Sequence, residues 1–259
     1  MLNRRAVFNS FIAHPFRTLR GFRRIFRDMN SYNSQNTRPE FRATFKNLYP
    51  CLDEWNDNAA SLSYYFWQDL WAARKIFHVR PSEHYDIGSR VDGFIAHILP
   101  FMPVTMLDIR PFPQEVEGLK FIQADATNLE GIADNSLVSL SSLCAPEHFG
   151  LGRYGDAIDA EACFAAMKSM QRVLAPGGHL YIAVPVGDDS GVAFNAHRIF
   201  SPEFVAGIMN ELHLEDFSVI AGPQYIEHMT LEEFHAKGFG TKYSGSIDGL
   251  FEFVKVIQR

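Results

Sequence analysis

The sequence predicts a doubly wound α/β fold, with a mostly parallel seven-stranded sheet and an N-terminal helical extension. Two observations carry this. Short apolar runs recur in series and end in an acid: HYD closing on Asp86, VTMLD on Asp108 and FIQAD on Asp125. Helix-compatible stretches lie between such runs, and SLVSLSSL, QRVLAPGG and HLYIAV continue the series, the signature of βαβ units feeding a parallel sheet. In such sheets ligands sit in the crevice at the carboxyl ends of the strands, so all three aspartates are expected at one rim.

Strands are expected near 84–88, 103–108, 118–123, 136–143, 178–184, 214–220 and 250–258, with helices near 90–99, 157–173 and 201–212. Ser201-Pro202-Glu203 is an N-cap with proline at the first helical position, and Pro176-Gly177-Gly178 ends a helix and turns into a strand. Residues 221–249 lack a regular apolar period and read as an irregular excursion over the cleft. Before Pro81, residues 16–29 form an amphipathic helix, residues 31–40 a polar linker, and Phe41–Val79 an aromatic-rich helical stretch that packs as core or lid. Arg80-Pro81 ends it. The expected organisation is a helical N-terminal part over 1–80 and an α/β domain over 81–259.

With 259 residues, 47% apolar and 21% charged, the chain has the composition of a folded protein able to bury a sizeable core. Three cysteines without a CxxC pair give neither a disulfide framework nor a zinc site, and point to a reducing compartment. No apolar run is long enough to span a bilayer, and FIAHPF lacks the unbroken core of a secretory signal. The expected location is the cytoplasm. Residues 1–30 hold seven arginines and one acid, a net +6, which leaves −12 on the remainder of a chain of net −6. That balance argues against nucleic acid as a partner of the main body. Within 16–29 the arginines share one side and Leu19, Phe22, Ile25, Phe26 and Met29 the other. Three readings follow: a helix docked on the acidic body, contact with the inner membrane surface, or contact with a partner protein.

The HYDIGSRVDG stretch (84–93) offers a strand, a tight glycine turn at Gly88 and a helix start. It carries only part of a dinucleotide fingerprint, since Ser89 and Arg90 stand where small residues are usual. Asp108, about 20 residues past that turn, is positioned to take both hydroxyls of a ribose, or is a turn acid before Arg110-Pro111. Asp125-Ala126 meets an adenine edge, or caps the following turn.

The order DIGS, LDIRP, QADATNL, DNSLVSLSSLCAPEHF and MKSMQRVLAPGGHLYIAVP resembles the class I S-adenosylmethionine-dependent methyltransferases, a Rossmann-like fold. More narrowly, it is similar to a family of methyltransferase-like proteins of bacteria and nematodes, which in bacteria often accompany polysaccharide-biosynthesis enzymes. The resemblance spans roughly residues 60–259. It implies S-adenosylmethionine as cofactor, held by Asp86, Gly88, Ser89, Arg90, Asp108, Ile109, Asp125, Ala126 and Ser142. Val138 replaces an acid that many members carry in the fourth strand. Glu147-His148 resembles a pair in quinone-biosynthesis methyltransferases, some of which add an upstream acid to hold magnesium. Cys144 stands there, so no metal is expected. His148 is then a candidate general base oriented by Glu147, or a loop histidine without chemistry. Arg153 and Tyr154 in GLGRYGD, with Asn195, His197 and Arg198 in FNAHRIF, are candidate acceptor-binding residues for an anionic sugar or phosphate-linked carrier. The leading expectation is O-methylation of a saccharide or carrier-linked glycan. The alternatives are an inactive scaffold of the same fold in a polysaccharide-biosynthesis assembly, and another nucleotide-dependent enzyme such as a dehydrogenase.

Overall fold

The computed structural model describes residues 15–52, 62–239 and 247–257, apart from the Arg17 side chain. Parts of the expected elements at 1–14, 53–61, 240–246 and 258 lie outside the described residues. The chain divides into two compact units, Met1–Ser61 and Leu62–Arg259. The boundary falls before the aromatic helix, not behind it at residue 80.

In the smaller unit, helix α1 (Pro15–Gln35) runs past the expected linker start. Residues 36–52 then turn back along it through 3-10 turns at Pro39–Phe41 and Phe45–Asn47. Phe26 packs on Phe45 at 5.5 Å, and Asn33 exchanges hydrogen bonds with both backbone groups of Ala43. The expected linker is therefore a packed return segment.

The larger unit opens with α2 (Tyr64–Val79); among the described residues of the helix expected over 41–79, only these are α-helical. Arg80 caps it in the left-handed region ahead of Pro81, where a further helical turn is disfavoured. The sheet follows: β1 (His84–Ile87), β2 (Val104–Asp108), β3 (Leu119–Gln123), β4 (Leu137–Leu143), β5 (Leu174–Pro185), β8 (Leu212–Ala221), β9 (Gln224–Ile226) and β10 (Ile247–Lys255), in spatial order β3-β2-β1-β4-β5-β10-β8-β9. Strands β1 to β5 pair in parallel, while β10 inserts antiparallel between β5 and β8. The sheet thus has eight strands, one more than expected, because Gly222 starts a hairpin that adds β9. A separate ribbon pairs β6 (Gly191–Ala193) with β7 (His197–Ile199).

Helices cover both faces. On one, Trp71, Ala72 and Ile76 of α2 pack with Phe94, Ile95 and Ile98 against Leu143, Tyr181, Ala183 and Leu250. Phe94 and its neighbours come from a π-helical turn, Val91–Ile95, continued by the single turn of α3 (Ala96–Ile98). On the other, Cys163, Ala166, Met167 and Met170 of α4 (Ala162–Val173) and Val205 of α5 (Pro202–Ile208) meet Leu140, Leu180, Ile182 and Phe251. Ser201 accepts from the Phe204 N–H to cap α5, and Thr230 with Glu233 forms a capping box on α6 (Leu231–Lys237), a helix inside the stretch expected to be irregular. Lys75 ties α2 to the sheet through Glu252 at 2.7 Å and Asp216 at 3.0 Å.

Candidate cofactor and acceptor site

Gly88 opens the rim. Its φ of +73° is left-handed, and a Cβ there would meet the Ala145 Cβ at 3.1 Å. Only glycine gives both the turn and the close approach of the β1 and β4 exits. Its N–H donates to the Leu107 carbonyl, 3.1 Å away, which brings the turn beside the end of β2.

Asp86 does not face this crevice. It is fully buried and accepts from the Ser89 N–H (2.9 Å), the Ser89 hydroxyl (2.7 Å) and the Ser141 hydroxyl. Burial still pushes its carboxyl up to about 6, with those hydrogen bonds opposing. Because Ser141 spends its proton on Asp86, it accepts from His84 Nε2–H at 2.9 Å, and His84 Nδ1 accepts from Ser139 at 2.8 Å. This chain welds β1 to β4. Ser89 and Ser142 serve the same junction: the Leu143 N–H donates to Ser89, and Ser142 donates to the Ile87 carbonyl. Arg90 turns outward, bidentate to Asp92 and over the Tyr65 ring. The carboxylate of Asp86 and the hydroxyls of Ser89 and Ser142 are thus spent within the protein, which corrects the expectation that their side chains contact the cofactor. Arg90, held by an exposed pair with Asp92, stays a candidate.

Asp108 ends β2 at the rim, and its carboxylate is occupied. Arg110 donates from its backbone N–H (2.8 Å), from Nε (3.0 Å) and from Nη2 (2.9 Å). Ile109 is exposed beside it, its carbonyl accepting from Gln123. Beyond β3, Asp125 Oδ1 accepts from the Thr127 N–H and hydroxyl at 2.8 and 2.7 Å, the turn-capping alternative, with Ala126 half-buried behind it.

At the exit of β4, the Pro146–His148 turn sets Glu147 inward, 2% exposed. His148 Nδ1–H donates to the Ala196 carbonyl at 2.7 Å, leaving Nε2 as the basic nitrogen, 3.5 Å from Glu147 Oε1. Burial drives both groups toward neutrality, Glu147 up to about 8 and His148 down to about 4. At neutral pH they form a hydrogen-bonding couple and not an ion pair. Asp248, at the start of β10 and paired in register with Pro185, reaches the same edge. It is 2% exposed, with Cys144 Sγ 3.9 Å from its Oδ1.

Among the described residues, five buried side-chain atoms lack a hydrogen bond: Gln68 Oε1, Trp71 Nε1, Tyr181 OH, Glu147 Oε2 and Asp248 Oδ2. The last two are carboxylate oxygens at the rim, where an unsatisfied acceptor costs most.

The GLGRYGD loop is organised by its own last residue. Asp156 accepts from the N–H groups of Gly150 (2.9 Å), Gly152 (3.3 Å) and Tyr154 (3.2 Å). These hold its carboxyl below the ordinary value, against a desolvation that raises it. Gly150 is required here, because a Cβ would fall 1.9 Å from the Asp159 carbonyl. Tyr154 lies between the guanidiniums of Arg110 and Arg153, each 5.2 Å from its ring, and edge-on to His148. Of the expected acceptor residues, Arg153 donates to the Ala196 carbonyl at 2.9 Å, and buried Arg198 to the carbonyls of Phe149 (2.7 Å) and Ala160 (3.2 Å). Arg198 is thus a strut between the β6–β7 ribbon and the loop, a correction of its expected role. His197 stands 6.5 Å from the His148 ring, and Asn195 occupies the ribbon turn at φ 68°.

Sequence reasoning missed Asp156 and Asp248. An acid closing a glycine-studded loop was a usable signal for Asp156. Asp248 had none, since only the insertion of β10 beside β5 brings it to the rim.

Residues 124–235 match the model of a family described as "Caenorhabditis protein of unknown function, DUF268". None of the curated proteins matches the chain. Among solved structures, the chain is similar to the 1,6-didemethyltoxoflavin-N1-methyltransferase of Burkholderia thailandensis, determined with 1,6-didemethyltoxoflavin and S-adenosylhomocysteine. That pair is 17% identical over 79% of this chain and 82% of the other, with a TM-score of 0.51. It is also similar to the [4+2]-cyclase SpnF, at 13% identity over 73% and 81% of the two chains and a TM-score of 0.52. The chain has the Rossmann-like fold of the class I methyltransferases.

Proposed function

We propose that this protein is an S-adenosylmethionine-dependent methyltransferase, with the cofactor lying along the carboxyl edge of β1 to β4. The observation that carries the reading is the Gly88 turn, kept free of a Cβ against Ala145 and hydrogen-bonded to the residue before Asp108. When bound, the cofactor supplies a sulfonium-activated methyl group for in-line displacement. Asp108 would take the ribose hydroxyls in exchange for Arg110, whose side chain is 55% exposed. Exposed pairs are worth about 0–1 kcal/mol; this one is bidentate on a carboxylate only 14% exposed, so the ribose hydroxyls must replace a firmer contact. Asp125 Oδ2 and the Ala126 N–H would meet the adenine. At the acceptor end, His148 Nε2 is oriented by its Nδ1–H bond to Ala196, and Glu147 lies behind it to share a proton.

The acceptor expected from the sequence, a saccharide or carrier-linked glycan hydroxyl, leaned on Arg153, His197 and Arg198. With both arginines donating to backbone carbonyls, that finer reading retains His197, beside the His148 ring. The same proposal includes a peripheral location, with α1 resting on an anionic membrane surface. Arg20 and Arg23 are exposed on it, as are Phe16 and Leu19. Among the described residues no helix is long and apolar enough to cross a membrane.

A second reading, a non-catalytic scaffold, is favoured by one observation: Asp108 is already gripped by Arg110, and Tyr154 covers Arg110. Calorimetric titration with S-adenosylmethionine and S-adenosylhomocysteine separates the two. Micromolar binding lost in Asp108→Ala is expected of the enzyme, and no heat with either ligand leaves the scaffold.

A further inference from the structure

We propose that the buried carboxylates of Glu147 and Asp248 seat the ammonium group of the acceptor, so that the methylated substrate is an amine. The inference rests on the methyltransferase reading and names its substrate class. The carboxylates come from separate segments at the carboxyl edge of the sheet, one on the turn after β4 and the other at the start of β10 opposite the end of β5, close enough for the Asp248 charge to act on Glu147. Each is 2% exposed. Each also keeps one oxygen, Glu147 Oε2 and Asp248 Oδ2, with no hydrogen-bond donor among the described residues.

Burial of both carboxyls, with the Asp248 charge acting on Glu147, favours their protonated forms, and a cationic ligand would restore the carboxylates. The groups around them supply no compensating cation in contact. Cys144 offers a thiol at 3.9 Å, Tyr64 a phenol in the same field, His148 is held neutral, and Arg153 is turned to the Ala196 carbonyl. Among the described residues no group of side chains could hold a metal ion. An alkylammonium fits this deficit, since it brings three N–H donors and one positive charge on a small head. A neutral sugar hydroxyl brings one donor and leaves the second carboxylate unmatched.

Once seated, the acceptor must lose a proton before its nitrogen can attack. The seated ammonium lowers the proton affinity of Glu147, whose own proton leaves to solvent on binding. The ammonium proton then passes to Glu147 Oε2, an N–H bond breaking and an O–H bond forming as both charges vanish together. Burial raises the proton affinity of Glu147 and so suits it to this transfer. Asp248 remains to hold the amine in place.

Benzylamine and its neutral counterpart benzyl alcohol test the seat by saturation-transfer NMR and calorimetry on the full chain, with and without saturating S-adenosylhomocysteine. At pH 8 benzylamine is expected to bind at least about tenfold more tightly than the alcohol. Glu147→Gln and Asp248→Asn should each cancel that preference while holding S-adenosylhomocysteine affinity within about twofold. Both variants are near-isosteric and remove a buried charge, so unliganded Tm at pH 8 should rise, which confirms that they fold. Equal binding of amine and alcohol, or a preference unchanged in both variants, overturns the proposal. Displacement of benzylamine by S-adenosylhomocysteine assigns the seat to the cofactor's own ammonium and overturns it too. Failure of S-adenosylhomocysteine to bind wild-type protein sinks the methyltransferase reading instead, whatever the amine does.

Discussion

Arg110 clasps the Asp108 carboxylate with Nε and Nη2, at 3.0 and 2.9 Å, in the position where the proposed ribose would bind. The same guanidinium lies over Tyr154 of the glycine loop, so one side chain links the β2 exit to the loop beyond β4. Opening the crevice therefore means moving Arg110.

If Arg110 competes with the ribose, Arg110→Ala should tighten S-adenosylhomocysteine binding by about two- to fivefold, the range of a partly exposed ion pair. Calorimetry with wild type, Arg110→Ala and Asp108→Ala decides this. Weaker binding in Arg110→Ala would make Arg110 a cofactor ligand instead of a competitor.

Asp156→Ala removes the acceptor for three backbone N–H groups of the 150–154 loop. A loss of about 1–3 kcal/mol in stability is expected, with faster amide exchange confined to that loop. Hydrogen exchange followed by mass spectrometry reads both; unchanged protection there would show that packing alone holds the loop.

Stability should fall on both sides of a maximum at about pH 4. Burial holds His84 at about 3, so its contribution is complete above the ordinary 6.5 and is lost as pH falls toward 3. The buried carboxyls run the other way. Glu147 (about 8), Asp86 and Asp248 (each about 6) contribute fully below their ordinary 3.8–4.5, and that contribution is lost as pH rises through the raised values. Between about pH 4 and 6 the three carboxyls outweigh the one histidine, so urea unfolding from pH 2.5 to 9 is expected to place the maximum at about pH 4, with Glu147→Gln flattening the alkaline limb. An alkaline limb identical in the variant would rule out Glu147 as its source.

Removing the charges of Arg20, Arg23 and Arg27 by serine substitution in the full chain should cut sedimentation with phosphatidylserine vesicles at least about tenfold, at roughly 1 kcal/mol per basic residue. Neutral phosphatidylcholine vesicles serve as the control. Equal pelleting of both proteins with anionic vesicles would remove α1 from any membrane role.

The strands were legible because each parallel strand carries its own apolar run and a polar terminator, so β1, β2 and β4 lie close to where the text puts them. Gly88 and Asp108 were legible for the same reason, being fixed by their place after a strand. What the side chains do there was not. Whether Asp86 faces a ligand or its own turn depends on Ser141, 55 residues away on β4, and on a hydroxyl that has no sequence signature. Arg198 looked like an anion binder because nothing local reveals that three carbonyls of another segment surround it. The helix expected across Phe41–Val79 was overextended because aromatic density carries no period. Its start is set by Tyr64, where packing against the sheet begins.

β10 occupies the middle of the sheet although it is the last strand among the described residues. A nascent polypeptide therefore emerges from the ribosome with β5 and β8 both presenting open edges, each a template for pairing with another molecule. Threading β10 between them seals the domain and delivers Asp248 in one event. The protein should consequently gain ligand competence abruptly during synthesis, and until then depend on chaperones to keep the two bare strands apart from their neighbours.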